Sequence, residues 1–394
     1  MKKKQITIVH MTTIPHSLYV FFEGQFRFMK EAGFNVVAIS SPGEWLDAFS
    51  KREGIQVIGL EMTRKITPFK DIVAFLRLCR LLLSIRPDIV HVHTPKAGLL
   101  GTLAAWMVMV PVRIYHIHGF PFITASGFKA KILKTTEIVA CSLASQVLCV
   151  SNSLMKYAIE NNVCSDKKIK TLLEGTINGI NTKTKFNPEK FSDKEKIGIR
   201  KSFKINQNNL VLGFVGRISR DKGILELYKA WGLIRKEFEN VVLLIVGPMD
   251  SNQDKRTSEI VTMMYKDKRI HLPGMIEDIA PVYAVIDILV FPTYREGFGL
   301  AAIEASAMNV PVVASNIPGC VDAVVNGITG TLVPTYDVPA LYEAIRNYLR
   351  DPQLRKEHGK AGRERVISSF SQEKMWAALR NEYDSLLLLR GMGK

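Results

Sequence analysis

The sequence contains few cysteines and no long hydrophobic run. Its five cysteines are scattered and form no C-x-x-C pair, which argues against a disulfide framework or a zinc site and is typical of reduced thiols in a cytoplasm. The longest uncharged stretch, residues 97–112, is shorter than a transmembrane helix of about 20 residues. Lysines 2–4 precede a strand-like pattern and not the apolar segment of a signal peptide. We therefore expect a soluble, cytoplasmic protein.

Internal repeats and low-complexity tracts are also lacking in this sequence of 394 residues. With 47% hydrophobic and 23% charged residues, the composition is typical of a folded globular protein and excludes a largely disordered one. The length exceeds what one hydrophobic core usually supports, so it favours two domains of roughly 150–200 residues each.

Acidic residues are scarce in the first half of the chain. Residues 1–200 carry 28 lysines and arginines against 15 acidic residues, whereas residues 201–394 carry 25 against 22. The formal net charge of +16 therefore lies mostly in the first half. This surplus predicts an anionic partner, which could be a lipid surface, a phosphorylated acceptor or a nucleic acid. A soluble basic protein with no such partner is the alternative.

Short apolar strands alternate with helical patterns in both halves. This alternation predicts parallel sheets that are covered by helices on both faces, and right-handed crossovers make such sheets doubly wound. The fold class is therefore α/β, with two Rossmann-like domains that face a cleft. Strands are predicted at residues 5–11, 35–40, 55–60, 88–93, 112–117, 147–150, 210–215, 241–246, 269–272, 287–291 and 311–314.

The alternation breaks at a turn cluster, residues 175–181, which a polar stretch follows. We expect an N-terminal domain over residues 1–180, a linker over 181–209 and a C-terminal domain over 210–370. An amphipathic helix is predicted in the last segment, residues 371–394.

A basic turn follows the first strand of the second half. The strand ends at Gly216, Arg217 comes next, and Lys222 precedes Gly223, where a helix is predicted to begin. Glycine lets the backbone approach a phosphate, the guanidinium offers paired donors, and lysine adds a point charge. The N-terminus of a helix favours an anion as well. The pattern predicts a diphosphate site, and a basic turn that binds no ligand is the alternative.

Two glutamates flank another strand-to-helix turn. Glu296 precedes the run Gly297 to Leu300, and Glu304 lies in the helix that follows. The amides of the turn and of the helix N-terminus can receive phosphate oxygens. A ligand bound there could place a ribose beside Glu304, whose carboxylate can accept hydrogen bonds from two vicinal hydroxyls.

Together these motifs resemble the family-four retaining glycosyltransferases of GT-B fold, and the resemblance covers nearly the whole chain. It implies an acceptor-binding first domain, a second domain that binds a nucleotide-sugar donor, and a last helix that crosses back to the first domain. The segments that carry it are Gly216-Arg217, Lys222-Gly223, Glu296 to Leu300, Glu304, Asn178-Gly179-Ile180, Pro318-Gly319, Asn326-Gly327 and Gly330.

The resemblance also implies a role for each residue of the donor motifs. Arg217 and Lys222 would bind the donor diphosphate next to Gly216, Glu304 would bind the ribose, and Glu296 would bind hydroxyls of the donor sugar. Uracil is the expected base. The backbone amides expected to receive phosphate oxygens are those of Phe298, Gly299 and Leu300.

A histidine precedes a glycine at the end of a strand in the first half. His118 matches the histidine that lies beside the donor sugar in the resembled family, and we expect it to form hydrogen bonds near the reacting centre. With Glu296 it makes up the expected catalytic pair. The resemblance implies front-face attack, in which the leaving phosphate takes the acceptor proton and the protein supplies positioning and charge stabilisation. A histidine satisfied by backbone is the alternative.

Paired histidines raise the question of a metal. His91 and His93, or His116 and His118, share a strand face and could bind an ion, but the spacing places no third ligand. The sequence also has no D-x-D motif, which fits a donor site that uses Arg217 and Lys222 in place of a divalent ion. We expect no metal and no cofactor.

The acceptor side departs from the pattern of the family. Many relatives carry a glycine pair after the first strand, whereas residues 11–17 contain none. Hydroxyls and His16 could replace those contacts, and Gly119 is a further candidate. Lys96 could bind an acceptor phosphate or be an ordinary solvated lysine. This loop, the segment from His93 to Gly98 and the basic first half resemble the bacterial subgroup that acts on polyprenyl-diphosphate-linked saccharides in capsule and lipopolysaccharide synthesis.

A lipid-linked acceptor requires an enzyme at the membrane surface. We expect peripheral association with the inner face of the plasma membrane through an anionic lipid surface. Two segments combine apolar and basic groups: residues 66–86 and residues 120–123 with the lysines that follow. The second is the stronger candidate if Phe120 and Phe122 are exposed. The first could also be an ordinary helix packed on a sheet.

Two other functions remain open at this stage. A GT-B epimerase would convert a nucleotide sugar without an acceptor. A nucleic-acid-binding module would use the basic half, but no basic stripe interleaved with aromatic residues and no known nucleic-acid motif supports it. We therefore expect a nucleotide sugar and a lipid-linked saccharide as partners, and no nucleic acid.

Overall fold

The computed structural model describes residues 5–250 and 254–392, which form two compact units. Unit 1 comprises the residues up to Gly179 and those from Gln372 onward, and unit 2 comprises Ile180–Ser371. Lysines 2–4, on which part of the signal-peptide argument depended, lie outside the described residues.

Parallel strands form the centre of each unit. In chain order they are β1 (Thr7–Met11), β2 (Asn35–Ser40), β3 (Gln56–Gly59), β4 (Ile89–His93), β5 (Val112–Ile117), β6 (Gln146–Cys149), β7 (Ile169–Thr171), β8 (Leu210–Val215), β9 (Val241–Val246), β10 (Ile270–Gly274), β11 (Ile288–Phe291), β12 (Val312–Ser315) and β13 (Gly330–Val333).

Helices connect these strands. They are α1 (Pro15–Phe21), α2 (Gln25–Glu31), α3 (Glu44–Glu53), α4 (Pro68–Ile85), α5 (Pro95–Met107), α6 (Gly127–Leu143), α7 (Asn152–Glu160), α8 (Asp193–Ser202), α9 (Ile224–Glu237), α10 (Lys255–Lys266), α11 (Ala280–Tyr283), α12 (Leu300–Ala307), α13 (Cys320–Ala323), α14 (Val338–Arg350), α15 (Pro352–Ser369) and α16 (Gln372–Leu388).

The two sheets share one topology. The sheet of unit 1 has the order β3-β2-β1-β4-β5-β6-β7, and that of unit 2 has the order β10-β9-β8-β11-β12-β13. All the strand pairs among the described residues are parallel. The prediction of two doubly wound α/β sheets is therefore confirmed.

Continuous apolar strands bury both faces of each sheet. In β9 each residue is buried, and Trp231 of α9 is 1% exposed within the core of unit 2. Chain order reverses between β1 and β4 in unit 1, and between β8 and β11 in unit 2. Ligands of open parallel sheets bind at the carboxyl ends of the strands at such reversal points, so a functional site is expected at each of the two.

The stretch expected to be a linker differs in the structure. Ile180 already belongs to unit 2, and α8 forms inside the polar stretch. The Ser192 side chain accepts a hydrogen bond from the Glu195 amide, and the Glu195 carboxylate accepts from the Ser192 amide. This reciprocal cap stabilises the helix N-terminus, and its Ser-x-x-Glu pattern was visible in the sequence.

The last helix, α16, is part of unit 1 and contacts several of its elements. The Trp376 indole N–H donates to Asn178 Oδ1 at 2.6 Å. Lys170 on β7 pairs with Glu382 at 2.5 Å. Tyr383 is buried, and its phenol oxygen lies 2.6 Å from Nδ1 of His91 on β4. This helix therefore brings a tyrosine hydroxyl to the ends of the central strands.

The two candidate membrane segments have opposite exposure. Phe120 and Phe122, expected to be exposed, are 0% and 8% exposed and pack against Tyr157. That expectation was wrong, because the short 3-10 helix at Pro121–Thr124 turns both rings inward. By contrast, Phe69 on α4 is 88% exposed. No helix in the two described ranges, 5–250 and 254–392, is long and apolar enough to cross a bilayer.

Candidate active site

Two loops meet at the reversal point of the unit 2 sheet. One follows β8 and carries Arg217 and Lys222, and the other follows β11 and carries Glu296. The Tyr294 amide donates to the Asp221 carbonyl at 2.9 Å. The loops are in close contact elsewhere too, because a Cβ at Gly223, where φ is +71°, would lie 1.9 Å from the Pro292 carbonyl oxygen.

This contact brings two predicted donor residues together. The Lys222 ammonium forms a hydrogen-bonded ion pair with the Glu296 carboxylate, and both side chains are largely shielded from solvent. Lys222 also lies 6.0 Å from the centre of the Phe291 ring. An ammonium carries three donors, so the pair with Glu296 leaves lysine able to bind a further anion.

Arg217 is held by acidic residues that the sequence analysis did not single out. Its guanidinium donates to Asp250 at 2.8 Å and to Asp221 at 3.1 Å. Arg295 lies 3.5 Å from the same Asp221 carboxylate. Arg295 directly precedes Glu296 in the sequence, but nothing in the spacing showed that it would turn toward Asp221.

The Asp221 carboxylate stays ionised in this cluster. Partial burial raises its pKa, but the Ser219 hydroxyl and the charges of Arg217, Lys222 and Arg295 outweigh burial and lower the pKa below its ordinary value. Three cations and the acids that pair with them therefore form one charged network. An incoming diphosphate would meet fixed donors whose positions are already supported by carboxylates.

The amides predicted to bind phosphate lie at the N-terminus of α12. Gly299 is the N-cap with φ +71°, and Leu300 is the first helical residue. Phe298 is 6% exposed, so its side chain anchors the turn in the core. A Cβ at Gly319, where φ is +86°, would lie 2.7 Å from the Gly297 carbonyl oxygen, so the loop after β12 supports this turn closely.

Glu304 lies in the same helix, in the turn after its first. Its carboxylate accepts a hydrogen bond of 3.0 Å from the hydroxyl of Tyr283, which is buried. Burial first and the Glu304 charge second raise the pKa of Tyr283 well above 10, so the tyrosine remains a donor. This bond engages one carboxylate oxygen and orients the other.

Histidines occupy the corresponding reversal point of unit 1. Strand register pairs His10 with His91 and His93 with His116. His118 follows β5, and its Nε2 lies 3.0 Å from Nδ1 of His93. The paired histidines could be identified from the sequence, but His10 could not, because its adjacency to His91 depends on the pairing of β1 with β4.

These five histidines are neutral side chains. Burial is the main cause that lowers the pKa of His10 and of His116 to about 3. The same cause, reinforced by the neighbouring imidazoles, holds the pKa values of His91, His93 and His118 well below 6.5. A neutral imidazole both donates and accepts one hydrogen bond, which suits contacts with sugar hydroxyls better than proton transfer.

The candidate acceptor residues of unit 1 lie in three different elements: His16 in the first turn of α1, Lys96 in the first turn of α5 and Gly119 in the loop after β5. The His16 ring packs edge-on against Trp45 at 5.2 Å. Lys96 forms an ion pair of 2.7 Å with Asp71 and donates to the Thr63 hydroxyl at 3.3 Å, so it is not an ordinary solvated lysine. Gly119 directly follows His118 and has φ +131°.

A groove of about 270 Å³ lies beside the partners of Lys96. It contains apolar and basic groups side by side, and its lining includes Thr63, Phe69, Lys70, Asp71 and Arg77. Asp71 and Thr63 are therefore shared by the groove and by the Lys96 contact. This connects Lys96 with the exposed side of α4.

Two family models match the chain. One, described as a glycosyl transferase 4-like domain, matches residues 20–172, and the other, described as glycosyl transferases group 1, matches residues 195–365. The chain is 35% identical over 98% of both chains to a capsular polysaccharide biosynthesis glycosyltransferase, CapM, of Staphylococcus aureus.

More distant proteins extend this likeness. A UDP-Gal:alpha-D-GlcNAc-diphosphoundecaprenol alpha-1,3-galactosyltransferase of Escherichia coli is 28% identical over 83% of each chain. The crystal structure of Anabaena HepE in complex with UDP superposes with a TM-score of 0.78 and 17% identity, over 97% of this chain and 100% of that one. Such a likeness shows the fold, which is GT-B. The chain belongs to the group 1, family-four-like glycosyltransferases of bacterial capsule and lipid-linked glycan synthesis.

Proposed function

We propose that the protein transfers a sugar, with retention of anomeric configuration, from a uridine-diphosphate sugar to a saccharide carried on a polyprenyl diphosphate. The observation that carries the proposal is the contact between the loops after β8 and β11, which joins Lys222 to Glu296 next to Arg217. The E. coli relative is named for a UDP-galactose donor and a diphosphoundecaprenol acceptor, which supports both substrate classes.

The donor diphosphate is assigned to Arg217, Lys222 and the N-terminus of α12. Guanidinium and ammonium groups bind phosphate oxygens strongly where water is partly excluded. The Lys222 side chain is 18% exposed, so its charge is screened less than that of a surface lysine. These cations, with the amides of Phe298, Gly299 and Leu300, would offset the charge of the leaving diphosphate without a metal ion.

The remaining donor contacts are assigned to two glutamates. Glu304, oriented by Tyr283, would accept hydrogen bonds from the ribose hydroxyls. Glu296, fixed by Lys222, would bind hydroxyls of the transferred sugar. His118 is assigned to hydrogen bonding with the donor sugar, because its ring is neutral and its Nε2 is already engaged by His93.

The reaction proposed here requires no protein nucleophile. The bond between the anomeric carbon and the phosphate oxygen breaks as the acceptor hydroxyl oxygen bonds to the same face of that carbon. The hydroxyl proton passes to the leaving phosphate oxygen. Positioning and charge stabilisation would then supply most of the rate enhancement.

Acceptor binding is assigned to unit 1. The groove near Thr63 and the basic residues around it suit the diphosphate of a lipid carrier, and Lys96 would exchange Asp71 for a phosphate oxygen. His16 and Gly119 stay candidates for contacts with the saccharide.

Membrane association is assigned to an exposed face of α4. The residues Phe69, Ile72, Leu76 and Leu83 are 57–88% exposed, while Ala74, Leu78 and Leu82 face the core. Lys70, Arg77 and Arg80 lie on the same helix. A helix with an exposed apolar stripe and basic flanks binds the interface of anionic bilayers. We infer that α4 docks unit 1 on the inner leaflet of the plasma membrane.

The test is a transfer assay with the purified full chain and no added metal. It combines a panel of UDP-sugars with synthetic saccharides on a polyprenyl diphosphate, and it follows UDP release and the mass of the lipid product. The expected result is a lipid-linked product whose new anomeric centre has the configuration of the donor. Conversion of the UDP-sugar without an acceptor would indicate an epimerase and would contradict the proposal, as would an inverted product.

A further inference from the structure

Five of the eight histidines of the chain meet in unit 1. The proposed function gives a role to His118 and leaves the other four unexplained. His10, His91, His93 and His116 are at most 5% exposed. Burying polar rings costs free energy unless their nitrogens are hydrogen-bonded, so the bonding pattern of the cluster shows what the rings can do.

The ring nitrogens form a continuous chain that passes through Tyr383 of α16 and ends at His91 on β4. His118 Nε2 lies 3.0 Å from His93 Nδ1, and His93 Nε2 lies 3.1 Å from His10 Nδ1. His10 Nε2 lies 3.4 Å from the phenol oxygen of Tyr383, which is 2.6 Å from His91 Nδ1. Both nitrogens of His10 and of His93 are thus engaged.

A chain of neutral imidazoles can be protonated in only two ways. Each ring carries one N–H and one lone pair, and each contact needs one of each. The choice at His118 therefore determines the tautomers of His93 and His10 as well. Either His118 donates its Nε2 proton inward and keeps a lone pair on Nδ1, or it accepts on Nε2 and carries a proton on Nδ1.

The contact between Tyr383 and His91 decides the direction. At 2.6 Å it has the length of a hydrogen bond donated by a hydroxyl, which is shorter than one donated by a ring N–H. The phenol proton therefore goes to His91, and the phenol oxygen accepts from His10 across the longer contact of 3.4 Å. His10 in turn accepts from His93, and His93 accepts from His118.

We propose that Tyr383, His10 and His93 are positioning residues that hold His118 as the Nε2–H tautomer, so that its Nδ1 is a hydrogen-bond acceptor for a substrate hydroxyl. The functional part of this inference rests on the proposed function. The ligand class follows from the geometry: a lone pair on Nδ1 accepts from a sugar hydroxyl but offers no donor to a carboxylate or phosphate.

The packing around the cluster keeps this arrangement uncharged. Aromatic rings face it from the end of α1, from α2 and from the loop before β2: Phe22 lies 4.7 Å from His93, Phe26 lies 4.1 Å from His10, and Phe34 lies edge-on to Tyr383. The acid of α16, Glu382, is paired with Lys170 at 2.5 Å. In the described residues, His91 Nε2 and His116 Nδ1 have no hydrogen-bond partner. The chain of hydrogen bonds therefore does not continue beyond His91.

The test reads the tautomer directly. Full-length protein labelled with ¹⁵N at histidine is studied by NMR, and the His118 signals are assigned by comparison with His118→Gln. We expect a lone-pair shift for Nδ1 and an N–H shift for Nε2 in the wild type. Tyr383→Phe keeps the ring but removes the hydroxyl, so His118 should become a mixture of tautomers. Tyr157→Phe, elsewhere in unit 1, should leave the His118 signals unchanged.

Activity provides a second readout. Tyr383→Phe should lower kcat by roughly tenfold, because the Nδ1–H tautomer of His118 cannot accept a hydrogen bond from the substrate hydroxyl in the transition state. The donor KM should stay within about twofold. His93→Phe should have a similar effect. If neither variant folds, as judged by thermal unfolding, the tautomer of the wild type still tests the proposal.

Several outcomes would overturn the inference. These are an Nδ1–H tautomer in the wild type, or an unchanged His118 tautomer in Tyr383→Phe. A third is one equivalent of zinc retained after dialysis, because His10, His91 and His93 have ring nitrogens within 4.8 Å of one another and a metal would replace their hydrogen bonds. Absence of transferase activity in the wild type would instead contradict the proposed function, and the tautomer of His118 could still be measured.

Discussion

The two units share one sheet topology, but the side chains at the reversal point of the strand order are charged in unit 2 and neutral in unit 1. At the reversal point of unit 2, Arg217, Lys222 and Arg295 are interleaved with carboxylates. At the reversal point of unit 1, five neutral histidines and a tyrosine are packed among phenylalanines. The fold thus supplies a place for a ligand, and the side chains decide which ligand it is.

The contrast in charge agrees with the roles proposed for the two units. A diphosphate needs fixed positive charge, which the ion pairs of unit 2 preorganise. Sugar hydroxyls need directional donors and acceptors without net charge, which buried imidazoles provide. If this contrast is correct, substitutions and pH changes should affect the two units in different ways.

The pH dependence of stability should reveal the neutral cluster of unit 1. In the unfolded chain the histidines titrate near 6.5, whereas in the folded protein the pKa of His10 and of His116 is about 3. The unfolded state therefore binds more protons, and stability falls as the pH drops below about 6.5 and continues to fall toward about 3. Between about pH 7.5 and 5.5 we expect a loss of about 1 kcal/mol per buried histidine, or several in all.

Urea unfolding at a series of pH values measures this loss. His116→Gln should reduce the loss of stability between these pH values by the contribution of one buried histidine. His16→Gln, at a half-exposed position, should reduce it less. Stability that does not change over this pH range would show that the cluster is charged in the folded protein.

Removing a cation from unit 2 should affect catalysis more than binding. Arg217→Ala and Lys222→Ala should each cost about 2–4 kcal/mol in kcat/KM, because the leaving diphosphate carries most negative charge in the transition state. Steady-state kinetics with a UDP-sugar measures the effect. Lys229→Ala, an exposed position on α9, serves as the control. Turnover of wild-type rate in Lys222→Ala would remove that residue from the donor site.

The ribose contact should affect donor binding alone. Glu304→Gln keeps the shape of the side chain but weakens its hydrogen bonds, so the donor KM should rise by about fivefold to thirtyfold with little change in kcat. Glu259→Gln on α10, an exposed glutamate of the same unit, is the matched control. A fall in kcat at constant KM would assign Glu304 to the chemical step.

The exposed face of α4 should affect membrane binding and leave soluble turnover unchanged. Phe69→Ser and Leu76→Ser should each weaken binding to vesicles of anionic phospholipid by about 1–2 kcal/mol. Cosedimentation with such vesicles measures the change. Met263→Ser, at an exposed apolar position in unit 2, is the control. Equal binding by the α4 variants and the control would contradict docking through this face.

Much of the fold could be predicted because its strands are apolar throughout. The predicted bounds of β2, β5, β8 and β9 agree with the structure. The short strands β7 and β13 were missed, since three or four residues carry too little pattern. The helix α8 was missed because its polar sequence was interpreted as a linker, although the Ser192-x-x-Glu195 capping box at its N-terminus indicates a helix.

The site was predictable to the extent that its residues lie in one motif. Arg217, Lys222 and Glu296 could be named from local patterns, and the structure joins the last two. The partners Asp250 and Tyr283 could not be named, because they arrive from separate loops and helices through tertiary packing. The same holds for His10 and Tyr383, which meet across a separation of 373 residues in the chain.

The most direct test of the donor site is calorimetric titration of the full chain with UDP and with GDP, repeated with Glu304→Gln. We predict that UDP binds, that it binds more tightly than GDP, and that the variant weakens this binding. If neither nucleotide binds to the wild type, the charged network around Arg217 and Lys222 is not a donor site, and the assignment of chemistry to the two units is wrong.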